Sequence, residues 1–310
     1  MIVTVTLNPA VDEEFVVSEF RPGGWFRSRN AIRTPGGKGI NVSMMLGQLG
    51  YESAAMGFLA GFNGAYIRDA LRRERLTTNF VHVKGETRTN VYIIDETGHV
   101  ETGLSEPGPY IPEEAYGRFL RNFERMLQRT RLLVLGGSLP HGIPQDVYGV
   151  LIRMAKEFNI PTIVDAAGPS LQSALEAGPT IAKIDHRFMS RMSGISLTSL
   201  DNIIEVVSKL HDQGVEWAVT SYHVYGDVFF TPQGIYLAVS DRRSILSLFA
   251  TADALITGLI VGGEERMAVE DRIRFAMACA WEDAMHVEKG FTSREAIEAL
   301  MPRVQLERLE

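Results

Sequence analysis

The segment Pro35-Gly36-Gly37-Lys38-Gly39-Ile40-Asn41-Val42 frames a lysine with glycines and runs into a helical pattern. Glycine lets backbone amides approach an anion closely. A helix N-terminus adds free donors and a favourable dipole, and Lys38 adds a full positive charge. Taken alone, the same residues read equally well as a glycine-rich strand-to-helix turn. The Gly-x4-Gly-Lys-Ser/Thr spacing of a P-loop is absent. No Gly-x-Gly-x-x-Gly follows the first apolar run, which excludes an NAD-dependent dehydrogenase. Thr87-Arg88-Thr89-Asn90 sets a guanidinium among small polar residues, and arginine grips phosphate bidentately. Gly136-Gly137-Ser138-Leu139-Pro140 follows another apolar run, and α/β folds place ligands beyond the carboxyl ends of strands. Singly, Arg88 is a solvated charge and 136–140 a simple turn. Asp253 precedes the helical pattern 254–261 and by spacing alone is an N-cap.

These residues need a scaffold, and the chain predicts one by alternation. Short apolar runs at 2–7, 54–58, 132–135, 162–164, 181–184 and 217–221 predict strands. Between them, 41–49, 65–73, 112–129, 144–157 and 199–213 predict helices. In 112–129, Pro112, Glu113 and Glu114 suit a first turn, and Phe119, Phe123 and Met126 form one apolar stripe. Strands alternating with helices imply βαβ units and a mainly parallel sheet. Two segments break the rhythm. Residues 11–34 carry Pro22-Gly23-Gly24 and no good helix, and 86–106 read as a hairpin of 91–94 and 100–104. Both are expected to leave the α/β body as a small β flap. The last third is helical at 253–261, 269–287 and 293–301, and the alanines of 269–287 predict a close neighbour along that helix.

Composition bounds the partners. The 310 residues are 45% hydrophobic and 22% charged, which fits one α/β domain over 1–310 with a core large enough to need no staple. A formal net charge of -7 argues against a nucleic-acid binder. The single cysteine, Cys279, allows no internal disulfide and points to a reducing, cytoplasmic compartment. No window of about 20 apolar residues predicts a membrane span. The run 2–7 alternates without a basic region before it and reads as a first strand rather than a signal peptide. The histidines show no zinc-type spacing among themselves or with Cys279, so no structural metal is expected.

Five motifs, in order, resemble the PfkB carbohydrate kinases, and within them the branch of 1-phosphofructokinase and tagatose-6-phosphate kinase. They are Thr6-Leu7-Asn8-Pro9-Ala10-Val11-Asp12, Gly36 to Val42, Gly57-Phe58-Leu59-Ala60-Gly61-Phe62-Asn63-Gly64, Thr87 to Asn90, and Gly137 to Pro140. The resemblance implies a ribokinase-like three-layer α/β/α sandwich with a β lid made by 11–34 and 86–106. It implies transfer of the γ-phosphate of ATP, with Mg2+, to a phosphorylated ketohexose. By resemblance, Asp12 binds sugar hydroxyls, while Gly37, Lys38 and Asn41 line the sugar-phosphate site. Arg88 and Asn90 hold the substrate phosphate, Ser138 contacts the substrate, and Asp253 is the catalytic base. A homodimer through the lid is implied too, since a lid leaves strand edges that a like partner can cover.

The nucleotide side departs from the pattern. The family's Gly-Ala-Gly-Asp reads Ala250-Thr251-Ala252-Asp253. Its Lys-Pro-Asn-x-x-Glu reads Lys183-Ile184-Asp185-His186-Arg187-Phe188, in which Asp185 can serve a hydrated Mg2+ and Phe188 cannot. The Ser-x-Gly-x-x-Gly near the nucleotide reads Ser221 to Gly226, and Trp281 and Glu282 replace small residues in the late helix. Lys183, Asp185, Ser221, Gly226, Ala250 and Ala252 are thus the nucleotide-side positions, with slow transfer expected. The alternative is a sugar-phosphate-binding sensor or partner protein on the same fold that has lost efficient transfer.

Overall fold

Isoleucine, valine and alanine dominate the short runs, and in a computed structural model they form strands buried on both faces, as parallel sheets require. The structure describes residues 1–98, 100–223, 226–240 and 245–309. In chain order the first elements are β1 (Ile2–Thr6), β2 (Ala10–Val17), β3 (Asn30–Gly36), α1 (Lys38–Gln48), β4 (Ser53–Ala60), α2 (Gly61–Arg73) and β5 (Thr77–Val83). Next come β6 (Arg88–Asp95), β7 (Val100–Ser105), α3 (Glu113–Leu127), β8 (Leu132–Gly136), α4 (Val147–Glu157), β9 (Thr162–Asp165) and α5 (Gly168–Glu176). The third stretch holds β10 (Ile181–Ile184), α6 (His186–Ser193), α7 (Leu200–Ser208), β11 (Trp217–His223), β12 (Gly226–Thr231) and β13 (Gly234–Val239). The chain finishes with α8 (Thr251–Glu264), α9 (Val269–Ala284), α10 (Arg294–Leu300) and β14 (Gln305–Arg308).

Ten strands make the central sheet, in the order β14-β13-β12-β11-β10-β9-β8-β1-β4-β5. The run from β11 to β5 is parallel, and β12, β13 and β14 add an antiparallel edge. Alternate residues feed opposite faces. Val3, Val5, Leu133 and Leu135 pack against Phe119 and Phe123 of α3 and Tyr148 of α4. Ile2, Val134 and Ile163 pack against Met45 of α1, Leu255 of α8 and Cys279 of α9. Three layers result. The alanine stripe of α9 meets Gly258 of α8, where a Cβ would stand 2.5 Å from Ala276 Cα.

A second sheet, β3-β2-β6-β7, leaves the body beyond the carboxyl end of β1. β2 pairs antiparallel with β3 and parallel with β6, so residues 10–17 tie the two excursions into one unit. Several expectations need correction. β5, β12, β13 and β14, and the helices α5 and α6, are not read from the sequence; β5 and β14 are edge strands, and α5 and α6 are short, at 9 and 8 residues. The helix expected over 199–213 stops at Ser208, and a 3-10 turn at His211–Gln213 follows before Gly214 takes φ 85°. The helix expected over 269–287 ends at Ala284, because the chain turns back so that Gly290 N donates to Asp283 Oδ1 at 2.7 Å. α8 begins at Thr251, so Asp253 is not its N-cap.

Candidate active site

The glycine-rich segment is the turn from β3 into α1. Gly37 sits at the N-cap with φ 115°, a conformation that favours glycine, and a Cβ there would meet Thr6 Cγ2 at 2.5 Å. Thr6 Oγ1 in turn accepts from Ile40 N at 3.0 Å. The carboxyl end of β1 therefore fixes the start of α1, and with it Lys38 and Asn41. Lys38 Nζ donates to Asp165 Oδ2 at 2.6 Å and lies 3.7 Å from Asp253 Oδ1. Asn41 Nδ2 donates to Asp253 Oδ2 at 2.8 Å. Burial pulls the Lys38 pKa down, but Asp165 and Asp253 more than offset this and hold it above its usual value. Burial pushes Asp253 up to about 6, and the Lys38 charge beside it limits the rise. Asp253 is thus a carboxylate in the first turn of a helix whose side chain serves the cavity rather than its own backbone.

The second sheet supplies the opposite wall. Asp12 on β2 is buried and accepts from Asn90 Nδ2 at 2.7 Å through Oδ1. Its Oδ2 is ion-paired with Lys289, which also donates to Pro35 O at 3.4 Å. Arg88 donates from Nε to Asn8 O at 3.2 Å and from a terminal nitrogen to Glu106 O at 3.3 Å. Asn8 Nδ2 donates to Ser138 Oγ at 3.2 Å. Tyr92 on β6 lies against Phe249, their ring centroids 3.8 Å apart. Asp12, Gly37, Lys38, Asn41, Arg88, Asn90, Ser138 and Asp253 all line one cavity of about 360 Å3. Asn41 Oδ1, Asn90 Oδ1 and Asp253 Oδ1 are buried there with no hydrogen-bond partner among the described residues. Such acceptors fit a ligand that brings hydroxyl donors.

Sequence reasoning missed Asp165 and Lys289. Asp165 was visible as a charge ending the apolar run of β9. Lys289 follows α9 in an unremarkable polar segment, and nothing local marks it.

The nucleotide-side residues divide. Lys183 donates to Ser221 Oγ at 2.9 Å and Asp227 Oδ1 at 3.2 Å, and Ser221 Oγ donates to the same oxygen at 3.0 Å. With Ala252 and Trp281 they line a cavity of about 110 Å3, below the roughly 300 Å3 at which small-molecule pockets begin. Gly226 opens β12 opposite Val239 and is outside that lining. Ala250 caps α8 at φ -109°, ψ 1°, and Ala252 lies inside the helix, so neither alanine is held at positive φ. The Ala250 carbonyl takes the amides of Asp253 and Ala254, each at 2.9 Å. The amides of Thr251 and Ala252 have no acceptor within the helix. Val224 and Tyr225, inside the Ser221-to-Gly226 motif, lie outside the described residues.

Asp185 caps α6, its Oδ1 accepting from Arg187 N at 2.7 Å and Phe188 N at 3.0 Å. The Phe188 ring is buried in the core. Among the described residues no group of three or more His, Cys, Asp or Glu could hold a metal. Asp165 and Asp185 do share a cavity with Lys38, which fits a hydrated Mg2+ carried mainly by phosphates and not a protein cage.

A three-layer α/β/α sandwich with a second β sheet over its strand ends, and a buried aspartate at a helix N-terminus facing a cationic cavity, defines a ribokinase-like phosphotransferase. The match of residues 10–287 to the family described as "pfkB family carbohydrate kinase" makes it specific: the chain belongs to that family. It is 35% identical over 309 residues to the 1-phosphofructokinase of Bacillus subtilis (strain 168), covering 100% of both chains. It is 28% identical to a tagatose-6-phosphate kinase of Staphylococcus epidermidis, covering 99% of each. The crystal structure of a possible 1-phosphofructokinase from Thermotoga maritima superposes with TM-score 0.92 at 31% identity, covering 100% of both chains.

Proposed function

We propose that this enzyme transfers the γ-phosphate of ATP to a hydroxyl of a phosphorylated ketohexose: fructose 1-phosphate, fructose 6-phosphate or tagatose 6-phosphate. The observation that carries the reading is Asp253, buried in the first turn of α8, hydrogen-bonded to Asn41 and facing the cavity that Lys38 and Arg88 make cationic. Asp253 takes the proton of the acceptor hydroxyl, whose oxygen attacks the γ-phosphorus. The bond to the bridging oxygen breaks, and ADP leaves with its electron pair. Lys38 and the amides of Thr251 and Ala252 offset the charge that spreads over the transferring oxygens. Arg88 and Asn90 hold the substrate phosphate, Asp12 and Ser138 orient hydroxyls, and Gly37 lets the backbone approach. Asp185, which shares a cavity with Lys38 and Asp165, would hold a hydrated Mg2+, and that ion would supply charge neutralisation to the nucleotide phosphates.

Lys183, Ser221, Ala250 and Ala252 stand on the nucleotide side, and Gly226 supports that edge. Lys183 is already neutralised by Asp227, and Phe188 offers no carboxylate. These two facts favour slow transfer, and in the extreme the second reading, a sugar-phosphate-binding protein. A coupled ADP-release assay with each sugar phosphate, beside calorimetry of ATP with and without Mg2+, separates them. Turnover supports the kinase; sugar-phosphate binding with neither turnover nor ATP binding supports the sensor. We read the second sheet as a lid over the sugar phosphate and as the seat of a homodimer, within a cytoplasmic enzyme.

A further inference from the structure

Glu14 lies two residues beyond Asp12 on β2, so both side chains point to the same face of the lid sheet. That face lies on the body. Glu14 is only 1% exposed, and neither carboxylate oxygen has a hydrogen-bond partner among the described residues. A carboxylate left so bare is rare, because an ionised group in that position loses its water and gains nothing. The groups around it come from every element packed there. Asp12 is on its own strand, Tyr92 stands opposite on β6, Glu101 faces it from β7, and Lys289 and Glu288 follow α9. Among the described residues of this set, Lys289 is the one cation. It is committed to Asp12 and reaches Pro35 O, so it fastens both β2 and the end of β3 to the body.

We propose that Glu14 is a positioning residue of the sugar-phosphate site: carried neutral, it leaves Lys289 to Asp12 and lets the lid lie on the body, and when ionised it draws Lys289 away and loosens the site. This rests on the proposed sugar-phosphate cavity and goes beyond it by assigning the site a proton of its own. Burial pushes the Glu14 pKa up to about 7, with Lys289 limiting the rise and Asp12, Glu288 and Glu101 adding to it. In an open lid the same carboxyl meets water and returns to the ordinary carboxylate range. Closing on the sugar phosphate therefore takes up a proton between that range and about pH 7. Affinity falls as pH rises through this window, then levels off.

The substrate phosphate titrates near the same pH, so the test compares wild type with Glu14→Gln, in which only the Glu14 contribution is gone. Calorimetry with fructose 1-phosphate, fructose 6-phosphate and tagatose 6-phosphate is run at pH 6 and pH 8. The wild-type Kd divided by the variant Kd is expected to rise about tenfold between them. Buffers of different ionisation enthalpy at pH 6 should show proton uptake in the wild type that exceeds the variant's. A ratio that stays flat, with equal proton counts, overturns the proposal. Lys289→Met should weaken binding, and adding Glu14→Gln should restore part of it; absence of rescue also overturns the proposal. Turnover failing while the Kd ratio behaves as expected overturns the kinase reading alone. A flat ratio beside normal turnover overturns the Glu14 assignment alone.

Discussion

At the scale of single residues, the cavity separates grip from chemistry. The polar partners of the Asp253 side chain, Asn41 and Lys38, come from the other end of the chain. Asp253→Asn keeps the Asn41 contact in shape and removes the base, so kcat should fall by roughly 100- to 10,000-fold with sugar-phosphate Kd nearly unchanged. An equal loss in both would show that Asp253 only binds. The carboxylate must be ionised to accept a proton, so kcat should rise with pH through about 6 and then plateau. Lys38 is the charge that restrains that value, so Lys38→Met should move the midpoint upward; a downward or absent shift in the pH profile would contradict the geometry. Arg88→Ala should weaken sugar-phosphate binding by roughly 1.5–3 kcal/mol, read by calorimetry, if its contact is a charge-assisted hydrogen bond.

The elements explain what was legible beforehand. β1, β4, β8, β9 and β10 read clearly because strands buried on both faces are short and mostly apolar, broken only by a few residues such as Thr4 and Lys183. Lys38, Asn41 and Arg88 stood out because their local setting, glycine or small polar residues, is itself what an anion needs. Lys289 did not, since its role depends on where the turn after α9 meets β2, a contact across 277 positions. Asp253 was read by spacing as a cap, and the start of α8 at Thr251 places it inside the turn instead. The α8–α9 contact carries its own prediction. Gly258→Ala adds a methyl against Ala276 and Cys279, so Tm should drop by an amount matching roughly 1–3 kcal/mol. An unchanged melting curve would mean that the two helices slide apart at little cost.

For the whole molecule, the second sheet has two edges, β3 and β7. Val100 and Leu104 on β7 are 56% and 63% exposed, and Trp25 in the β2–β3 connection is 95% exposed. Apolar edges of this kind invite a like strand. Light scattering should give about twice the 34.4 kDa chain mass, and Leu104→Asp should reduce it toward the single chain. A monomer at micromolar concentration with sugar phosphate present would refute the pairing. Among the described residues no helix is long and apolar enough to cross a membrane.

The Asn41–Asp253 hydrogen bond spans 212 positions, and that has a consequence for biosynthesis. A ribosome adding roughly 5–20 residues per second needs on the order of 10–40 seconds between the two. During that interval the nascent chain comes to carry Lys38, Arg88 and the strands of the second sheet, while α8 has not been made. A chain broken off before α8 would lack Asp253, the helical layer on which α1 packs, and Lys289, which fastens β2 and the end of β3 to the body.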